Sequence, residues 1–301
     1  MEHLRRYTPL VDDPDAFLAA ADRPLPKAVW ANTLRLPAEE AEGWVRRRCP
    51  EAEPLSGIGG AWRIPAGAGR AGKWPEFALG LIHTQEEVSL WPVWALDPRP
   101  GEAILDMCAA PGSKTARTAV VMGDSGSLLA NDRKGPRLQG VQDITARLGL
   151  TSVMAVCGDG ARIPGEARFD RVLVDAPCTG EGTTRKSAGG NTGLRERDDW
   201  HKMAAIQKGL LRRAVELVRP GGVVVYSTCT YAPEENEAVL SGIYPEKAAI
   251  EPLDMPSGVR VDPGVPEWEG QRFREDVGNA VRFWPHHNDT GGFFVARLRR
   301  L

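Results

Sequence analysis

The chain has 301 residues, 42% of them hydrophobic and 26% charged, which is ordinary for a globular protein with a substantial core. A formal net charge of −2 excludes a globally basic nucleic-acid binder, although a local basic patch is compatible with it. Five cysteines without metal-ligand spacing predict neither a disulfide framework nor a metal site, and no apolar run reaches the roughly 18 residues of a membrane span.

The first part of the chain, residues 1–82, differs from the rest in its Pro- and Gly-rich punctuation and its short predicted elements. The helix that we predict there begins with a proline and acidic residues and ends in three arginines, in agreement with the helix macrodipole. We interpret this part as a small α+β module. Its predicted elements are a strand at residues 28–36, a helix at 37–48 and a strand at 61–64.

The second predicted domain, residues 83–301, begins with a segment of helical hydrophobic spacing. Thr84 and Glu87 have the spacing of a capping box, and apolar residues follow at intervals of three. The pattern predicts a helix over residues 83–96, which Pro92 should kink.

From residue 103 onward, short apolar runs alternate with amphipathic segments that end at glycine. Alternating strands and helices predict an α/β fold with a parallel, doubly wound sheet. Residues 251–282 are rich in proline, glycine and charge and match no pattern, whereas residues 291–300 are predicted to form a last strand. The other predicted strands are 103–106, 127–131, 152–157, 170–175 and 222–227, and the predicted helices are 114–122, 136–148 and 204–218.

The loop after the first of these strands, residues 106–113, consists mostly of small residues and leads into a helix. A strand, a glycine-containing turn and a helix N-terminus let backbone N–H groups approach a ligand closely, at the edge where open α/β sheets hold ligands. The loop matches neither a dinucleotide-binding nor a Walker phosphate-binding motif. We interpret it as a pocket for another small ligand, and a plain strand-to-helix turn is the alternative.

Four aspartates stand at or just after the ends of predicted strands: Asp106, Asp132, Asp159 and Asp175. The carboxyl ends of parallel strands share one edge of a sheet, so these acids are expected near the loop. Asp132 is placed to accept from ribose hydroxyls, and Asp159 from an adenine amino group. Four acids at one edge favour a nucleoside-binding site over the alternative, in which each aspartate only caps the end of its own strand.

Cys178 and Cys229 follow two of the strands and share the same predicted edge. Free cysteines are usually buried small hydrophobes. These two lie instead in polar turns beyond the strand ends, where a thiolate would be close to whatever the loop holds. The pattern therefore indicates two candidate reactive thiols.

A series of short motifs between residues 83 and 301 is more specific than any of these features alone. In chain order they are DMCAAPGSKT (106–115), AND (130–132), GDG (158–160), DAPCTGEG (175–182), RPGG (219–222), STCTY (227–231), PEENE (233–237) and TGGFFVA (290–296). On these motifs, and above all on the DAPC and STC pair, the chain resembles the Nop/Sun (RsmB/Nop-type) family of S-adenosylmethionine-dependent RNA cytosine-5 methyltransferases. The NTL motif at residues 32–34 extends the resemblance weakly into the N-terminal module.

The resemblance implies a Rossmann-like methyltransferase sheet and a covalent mechanism. Cys229 would be the nucleophile that adds to carbon 6 of cytosine, Cys178 would assist release of the methylated product, and Asp175 would hydrogen-bond the base and act as a general acid. The resemblance also implies S-adenosyl-L-methionine as the cofactor. The residues expected to bind it are Cys108, Ala109, Ala110, Pro111, Gly112, Ser113, Lys114, Asp132, Asp159 and Asp175.

Residues 182–213 carry five more basic than acidic residues, enough to follow a phosphate backbone in a chain of near-zero net charge. Arg185 and Lys186 are the predicted contacts to RNA phosphate or base, and the N-terminal module is a second candidate for RNA contact. The partner that the resemblance implies is transfer RNA or ribosomal RNA. The target base must lie in a loop or be flipped out, because a base inside a duplex cannot reach a cleft.

Two other functions remain open on the sequence alone. A DNA cytosine-5 methyltransferase would use a Pro-Cys nucleophile, which Pro177 and Cys178 supply, although Cys229 speaks against it. A ribosome-assembly factor would bind RNA and keep the pocket without turnover. Free thiols and a charged N-terminus lead us to expect a cytoplasmic protein without membrane contact, and we further expect a monomer that holds no metal.

Overall fold

The computed structural model describes residues 2–186 and 197–301, which are organised by two main β-sheets. The strands of the smaller sheet are β1 (Lys27–Ala31), β2 (Glu53–Pro54), β3 (Ala61–Ile64) and β4 (Ile82–Gln85), paired antiparallel in the order β2-β3-β1-β4. The elements that pack with it are α2 (Ala38–Arg48), α3 (Pro75–Ala78) and a 3-10 helix at Ala71–Lys73, whereas a 3-10 helix at Glu2–Leu10 and α1 (Pro14–Ala21) precede β1 in the chain. The helix predicted at 37–48 and the strand predicted at 61–64 are confirmed, and the strand predicted at 28–36 is shorter than expected.

The helix predicted from residue 83 is wrong in its first part, because β4 occupies those positions. Thr84 lies inside that strand, opposite Val29 of β1, and not at a helix N-cap. Pairing with a distant strand here overrides a local capping pattern. Pro92 lies in the first turn of the next helix, where its missing N–H is no loss, so it starts that helix instead of kinking it. The segment consists of a 3-10 helix (Glu87–Leu90) followed by α4 (Trp91–Leu96).

The centre of the larger sheet is parallel, as predicted. Its parallel strands are β5 (Ala103–Asp106), β6 (Ser127–Asp132), β7 (Val153–Cys157), β8 (Phe169–Asp175) and β9 (Val218–Thr228), in the order β7-β6-β5-β8-β9. The helices between them are α5 (Ser113–Val121), α6 (Gly135–Leu148) and α7 (Arg197–Leu217). The Rossmann-like α/β class is confirmed. The strands and helices lie close to their predicted positions, except that α7 begins at Arg197 and not at residue 204, and β9 begins at Val218 and not at residue 222.

An antiparallel extension beyond β9 was not predicted from the sequence. It is built from β15 (Phe293–Arg300), which pairs with β9, and from β14 (Val281–Phe283), β11 (Asp262–Pro263) and β10 (Ala248–Glu251). The last strand is confirmed, and the unassigned segment 251–282 contributes short stretches to the edge of this sheet, including β11 and the start of β14. The remaining elements are α8 (Glu237–Leu240), a hairpin of β12 (Glu267–Trp268) and β13 (Gln271–Arg272), α9 (Pro285–Asn288), and 3-10 helices at Gly160–Arg162, Glu181–Lys186 and Glu275–Asn279.

Hydrophobic residues alternate along the central strands and cover both faces of the larger sheet. Ile104 of β5 and Leu173 of β8 belong to a core shared with α4 and α5, whereas Leu105 and Val172 belong to a core shared with α7. Burial on both faces is what a parallel sheet requires. Within the described ranges, we find no helix with the length and apolar character to span a membrane.

The residues before β1 pack on the loops of the larger sheet. Tyr7 and Phe17 share a buried aromatic cluster with Tyr231 and Trp284, and the rings of Tyr231 and Trp284 stack with centroids 5.3 Å apart. The Tyr7 hydroxyl also donates to the buried carboxylate of Glu181 at 2.6 Å. The N-terminal residues therefore form part of the wall around the loops that follow β8 and β9.

Candidate active site

The carboxyl end of β5 lies where the strand order reverses, with β6 on one side and β8 on the other. Open α/β sheets bind their ligands at such a switch point. Asp106, the last residue of β5, is buried and accepts a hydrogen bond from the Thr115 hydroxyl at 2.7 Å. Burial raises the pKa of Asp106 to about 7. Asp106 thus ties the strand end to α5 beneath the predicted cofactor loop.

Contacts with α6 hold that loop in place. Gly112 has a φ of +114°, and a Cβ there would lie 2.8 Å from the Cα of Val141, so glycine is required at this close approach. The Ala110 N–H donates to Asp132 at 3.3 Å, and Arg137 donates to the Ala110 carbonyl at 2.9 Å. These contacts within the protein hold the loop in its conformation.

The two acids predicted to bind the ribose and adenine of a nucleoside lie at the same sheet edge, but they differ in burial and in hydrogen bonding. Asp132 is almost fully buried; it accepts from the Lys134 N–H at 2.9 Å and pairs with Arg137 at 3.1 Å. Asp159 accepts from the Ala161 N–H at 3.1 Å, and its side chain is 40% exposed. Asp159 is exposed enough to accept from a ligand as it stands, whereas Asp132 is buried and each of its oxygens accepts from a protein donor.

Asp175 is held from two sides at the end of β8. The Ser227 hydroxyl donates to its Oδ1 at 2.7 Å, and the Lys114 ammonium donates to its Oδ2 at 2.7 Å. Ser227 is the residue opposite Asp175 in the β8–β9 register, and sequence reasoning missed it although it opens the STC motif. A carboxylate oxygen has more than one lone pair, so Asp175 keeps capacity to accept from a ligand.

The two cysteines predicted to act together are in contact. The sulfur atoms of Cys178 and Cys229 lie 3.3 Å apart, on the loops that follow β8 and β9. The hydrogen bond with the Cys229 sulfur, and then burial, raise the pKa of Cys178 well above its ordinary value. Cys178 therefore retains its proton at neutral pH and lies ready to exchange it with its neighbour.

Backbone contacts between three motifs fix the position of Cys229. The Gly182 N–H donates to the Cys229 carbonyl at 2.9 Å, and the Gly292 N–H donates to the Gly182 carbonyl at 2.9 Å. A Cβ at Gly182 would lie 2.2 Å from the Gly292 oxygen, so a side chain there would force these segments apart. The close backbone approach explains the glycine at position 182, four residues after Cys178.

A buried carboxylate beneath the Cys178 loop was also missed, although the PEENE motif contains it. Glu235 accepts from the Thr179 N–H at 3.1 Å and from the Gln207 side chain at 2.7 Å. Burial raises the pKa of Glu235 to about 7, against an ordinary value of 4.5. Glu235 therefore anchors the residue after Cys178 and titrates near neutral pH.

The raised pKa of Glu235 predicts a pH-dependent stability. Between about pH 4.5 and 7 the folded protein holds a proton that the unfolded chain has lost, so the contribution of this group is complete below pH 4.5 and declines as the pH rises to 7. Between pH 5 and pH 8 the unfolding free energy of the wild type should fall as Glu235 loses its proton. In Glu235→Gln this loss is absent, so the fall over the same range should be smaller by on the order of 3 kcal/mol.

Urea unfolding at several pH values measures this difference. The matched control is Glu267→Gln at a half-exposed position on β12, which should keep the wild-type pH slope. A Glu235→Gln slope equal to that of the wild type would show that Glu235 does not bind a proton on folding.

The two predicted RNA contacts have different outcomes. The Arg185 side chain is 1% exposed, and its guanidinium donates to the carbonyls of Arg23, Pro24 and Thr290 and to the carboxylate of Asp289, at 2.7–3.0 Å. These bonds give Arg185 an internal position. The Lys186 side chain lies outside the described residues, so the prediction for it stays a prediction.

A cavity of about 1060 Å³ opens beside the reactive groups. Its lining includes Cys229, Asp175 and Lys114, with Pro111 and Ser113 of the cofactor loop. The lining also includes residues 21–27, which run from the end of α1 into β1, and residues 84–86 at the end of β4. Other predicted site residues lie near the cavity but outside its lining: Cys108, Ala109, Ala110, Gly112, Asp132, Asp159 and Cys178.

Comparison with known proteins agrees with this arrangement. The family described as 16S rRNA methyltransferase RsmB/F matches residues 93–299, a span that contains the loop, Asp175 and both cysteines. The tRNA (cytosine(49)-C(5))-methyltransferase of Pyrococcus abyssi is 36% identical over 99% of this chain and 95% of its own length. The chain belongs to the RsmB/F methyltransferase family. The resemblance drawn from the motifs is therefore confirmed.

Other RsmB/F relatives are longer than this chain. The ribosomal RNA small subunit methyltransferase F of Erwinia tasmaniensis is 33% identical over 100% of the chain but 63% of its own length. The human 28S rRNA (cytosine(4447)-C(5))-methyltransferase is 33% identical over 95% of the chain and 36% of its own length. A crystal structure of a methyltransferase homolog protein from Pyrococcus horikoshii superposes with a TM-score of 0.85, at 31% identity, over 99% of this chain and 93% of that one.

Proposed function

We propose that this protein transfers a methyl group from S-adenosylmethionine to carbon 5 of a cytosine in RNA, through a covalent adduct on Cys229. The observation that carries the proposal is the position of Cys229 in the cavity with Asp175 and Lys114, with the Cys178 sulfur 3.3 Å away. Membership of the RsmB/F family and the names of its cytosine-C5 relatives support it.

The chemistry requires a nucleophile because carbon 5 of cytosine is too weak to attack a methyl sulfonium. A thiolate at Cys229 adds to carbon 6, and the electron pair of the 5,6 double bond moves toward carbon 5 and the ring, making carbon 5 an enamine carbon. Of the two sulfurs, that of Cys229 lines the cavity where the base would lie, which is why we assign the addition to Cys229. After methyl transfer, the carbon 5 proton must be removed for the 5,6 double bond to re-form and expel Cys229. The Cys178 thiol gives its proton to the departing Cys229 sulfur, and the Cys178 thiolate so formed takes up the carbon 5 proton.

Asp175 orients the base and stabilises the adduct. Lys114 and Ser227 donate hydrogen bonds to its two oxygens. These bonds hold the carboxylate in a fixed position in the wall of the cavity. Asp175 can accept a hydrogen bond from the amino group of cytosine. It can also share a proton with the ring nitrogen beside that amino group as negative charge develops on the ring. Fixed polar groups of this kind require no reorganisation at the moment of reaction.

The residues at the edge of β5, β6 and β7 fit S-adenosylmethionine. The part-exposed carboxylate of Asp159 suits an amino or hydroxyl donor, and the glycine at position 112 leads directly into the N-terminus of α5, which favours a carboxylate. The bound cofactor would supply an electrophilic methyl group. The predicted loop residues would hold it between this edge and the cavity that contains Cys229.

Transfer RNA is the first substrate to test. The Pyrococcus abyssi relative, which this chain matches over nearly the whole length of both, is named for a tRNA cytosine. The relatives named for ribosomal RNA contain additional length that this chain does not span. The name of this relative is the reason to test tRNA first, with ribosomal RNA in parallel.

Incubation of the purified protein with methyl-labelled S-adenosylmethionine and separate pools of tRNA, rRNA and DNA tests the proposal. Digestion to nucleosides and mass spectrometry should give 5-methylcytidine from RNA, and most from tRNA. Reactions with excess S-adenosylhomocysteine serve as the control. Label in deoxycytidine would indicate a DNA enzyme, and RNA binding without any label would indicate an assembly factor.

A further inference from the structure

The segment between α1 and β1, residues 21–27, borders the cavity on the side away from the sheet; we name it the N-terminal strap. All seven of its residues line the cavity that contains Cys229. Two of them, Pro24 and Pro26, restrict the backbone, so little conformational entropy is lost when a ligand binds against it. The strap is thus a stiff wall of the candidate active site that the sequence motifs did not reveal.

Arg185 fastens this strap to the larger sheet. Its guanidinium donates to the carbonyls of Arg23 and Pro24 on the strap, and to Thr290 and Asp289 just before β15. The planar fork of arginine can satisfy all four acceptors at once, whereas a lysine ammonium cannot. Arg185 therefore sets the distance between the strap and Gly292, which packs against Gly182 behind Cys229.

Two cations of the strap remain at the surface of the cavity. The Arg23 side chain is 56% exposed, with Asp289 at 3.8 Å, and Lys27 is exposed at the start of β1. The third exposed charge of the strap is Asp22, and Glu86 lines the neighbouring wall. Lys114, by contrast, is paired with Asp175. Among the described residues that line the cavity, the exposed cations are thus Arg23 and Lys27 of the strap.

The cavity is larger than a single base requires. Its volume of about 1060 Å³ is at the upper end of the range that accommodates a whole drug-sized ligand. A cytosine beside Cys229 and Asp175 would occupy only part of it. The remaining volume borders the strap, where ribose and phosphate of the same strand would follow the flipped base.

We propose that the N-terminal strap is a subsite for the ribose-phosphate backbone that flanks the target cytosine, with Arg23 and Lys27 as its phosphate contacts. Arg185 also lines the cavity, but its guanidinium is hydrogen-bonded to the strap and to residues 289–290, so we assign it as a positioning residue that acts through the strap. The subsite rests on the proposed function in that its ligand is the RNA strand carrying the target base. It can be tested by binding alone, without turnover.

The first test measures RNA affinity. The probe is a fluorescein-labelled single-stranded RNA of about 12 nucleotides containing cytosine, titrated by anisotropy in the presence of S-adenosylhomocysteine. The double variant Arg23→Ala/Lys27→Ala should raise Kd by about tenfold and reduce the slope of log Kd against log salt by about 1.4, or about 0.7 for each phosphate contact. The matched control is Arg99→Ala/Arg272→Ala, two exposed arginines outside the cavity, which should bind as the wild type does.

The second test concerns Arg185. In Arg185→Lys we expect the KM for RNA to rise about tenfold, with the KM for S-adenosylmethionine and kcat within about threefold of the wild type. A general structural defect would change all three parameters. If this variant does not fold, the double variant of the strap still decides.

The outcomes separate the two proposals. A double variant with the Kd and salt slope of the control overturns the subsite, even if the wild type methylates RNA. Wild-type RNA binding that depends on Arg23 and Lys27 but yields no methylation supports the subsite and overturns the proposed function. A wild type that does not bind the RNA probe at low salt overturns the subsite together with an RNA substrate.

Discussion

Cys229→Ala is expected to abolish 5-methylcytidine formation, by about 10⁴-fold or more, because removal of a nucleophile eliminates the whole covalent route. Without addition at carbon 6, carbon 5 of cytosine has no electron density to attack the methyl group. The variant should still bind S-adenosylhomocysteine, since the cofactor loop is ordered by α6 and not by Cys229. Product is measured by nucleoside mass spectrometry and cofactor binding by calorimetry.

Cys178→Ala is the informative comparison for this first prediction. Release of Cys229 should then be impaired, so RNA remains attached and migrates with the protein on a denaturing gel. Cys49→Ala, in the small module away from the cavity, should show normal turnover and no attached RNA. If RNA instead accumulates on Cys229→Ala, the nucleophile is Cys178 and the arrangement is that of a DNA-type enzyme.

Asp175→Asn is expected to lower kcat by about 10²- to 10⁴-fold with little change in fold. The substitution preserves shape but replaces one carboxylate oxygen by an NH2 group, which cannot accept from Lys114 or Ser227. It also removes the carboxyl group that shares a proton with the base. Because charge on the base develops only in the adduct, the loss should be in kcat more than in the KM for RNA. Single-turnover methylation measures the chemical step directly.

The control for Asp175 is Asp143→Asn on the surface of α6, which leaves the site untouched and should react at the wild-type rate. Thermal unfolding of both variants verifies that they are folded. A kcat for Asp175→Asn within about threefold of the wild type would remove Asp175 from the mechanism and leave Lys114 to be tested in its place.

Features encoded in adjacent residues could be predicted from the sequence. The strands β5 to β9 and the helices between them follow from hydrophobic periodicity, which needs no knowledge of distant partners. The edge shared by the cofactor loop, Asp175 and the two cysteines follows from the rule that parallel strands end on the same side. The direct contact between Cys178 and Cys229 goes beyond that prediction, because it depends on β8 and β9 being neighbours, which only the structure showed.

What depended on distant partners could be decided only by the tertiary structure. Residues 82–85 read as a helix start but form a strand, because β1 offers hydrogen bonds that a local pattern does not reveal. Arg185 read as an RNA contact in a basic stretch, but its guanidinium is buried among carbonyls from residues more than 100 positions away in sequence. A local pattern records the residue types that are present, whereas the free energy of a buried polar group depends on which partners the fold brings to it.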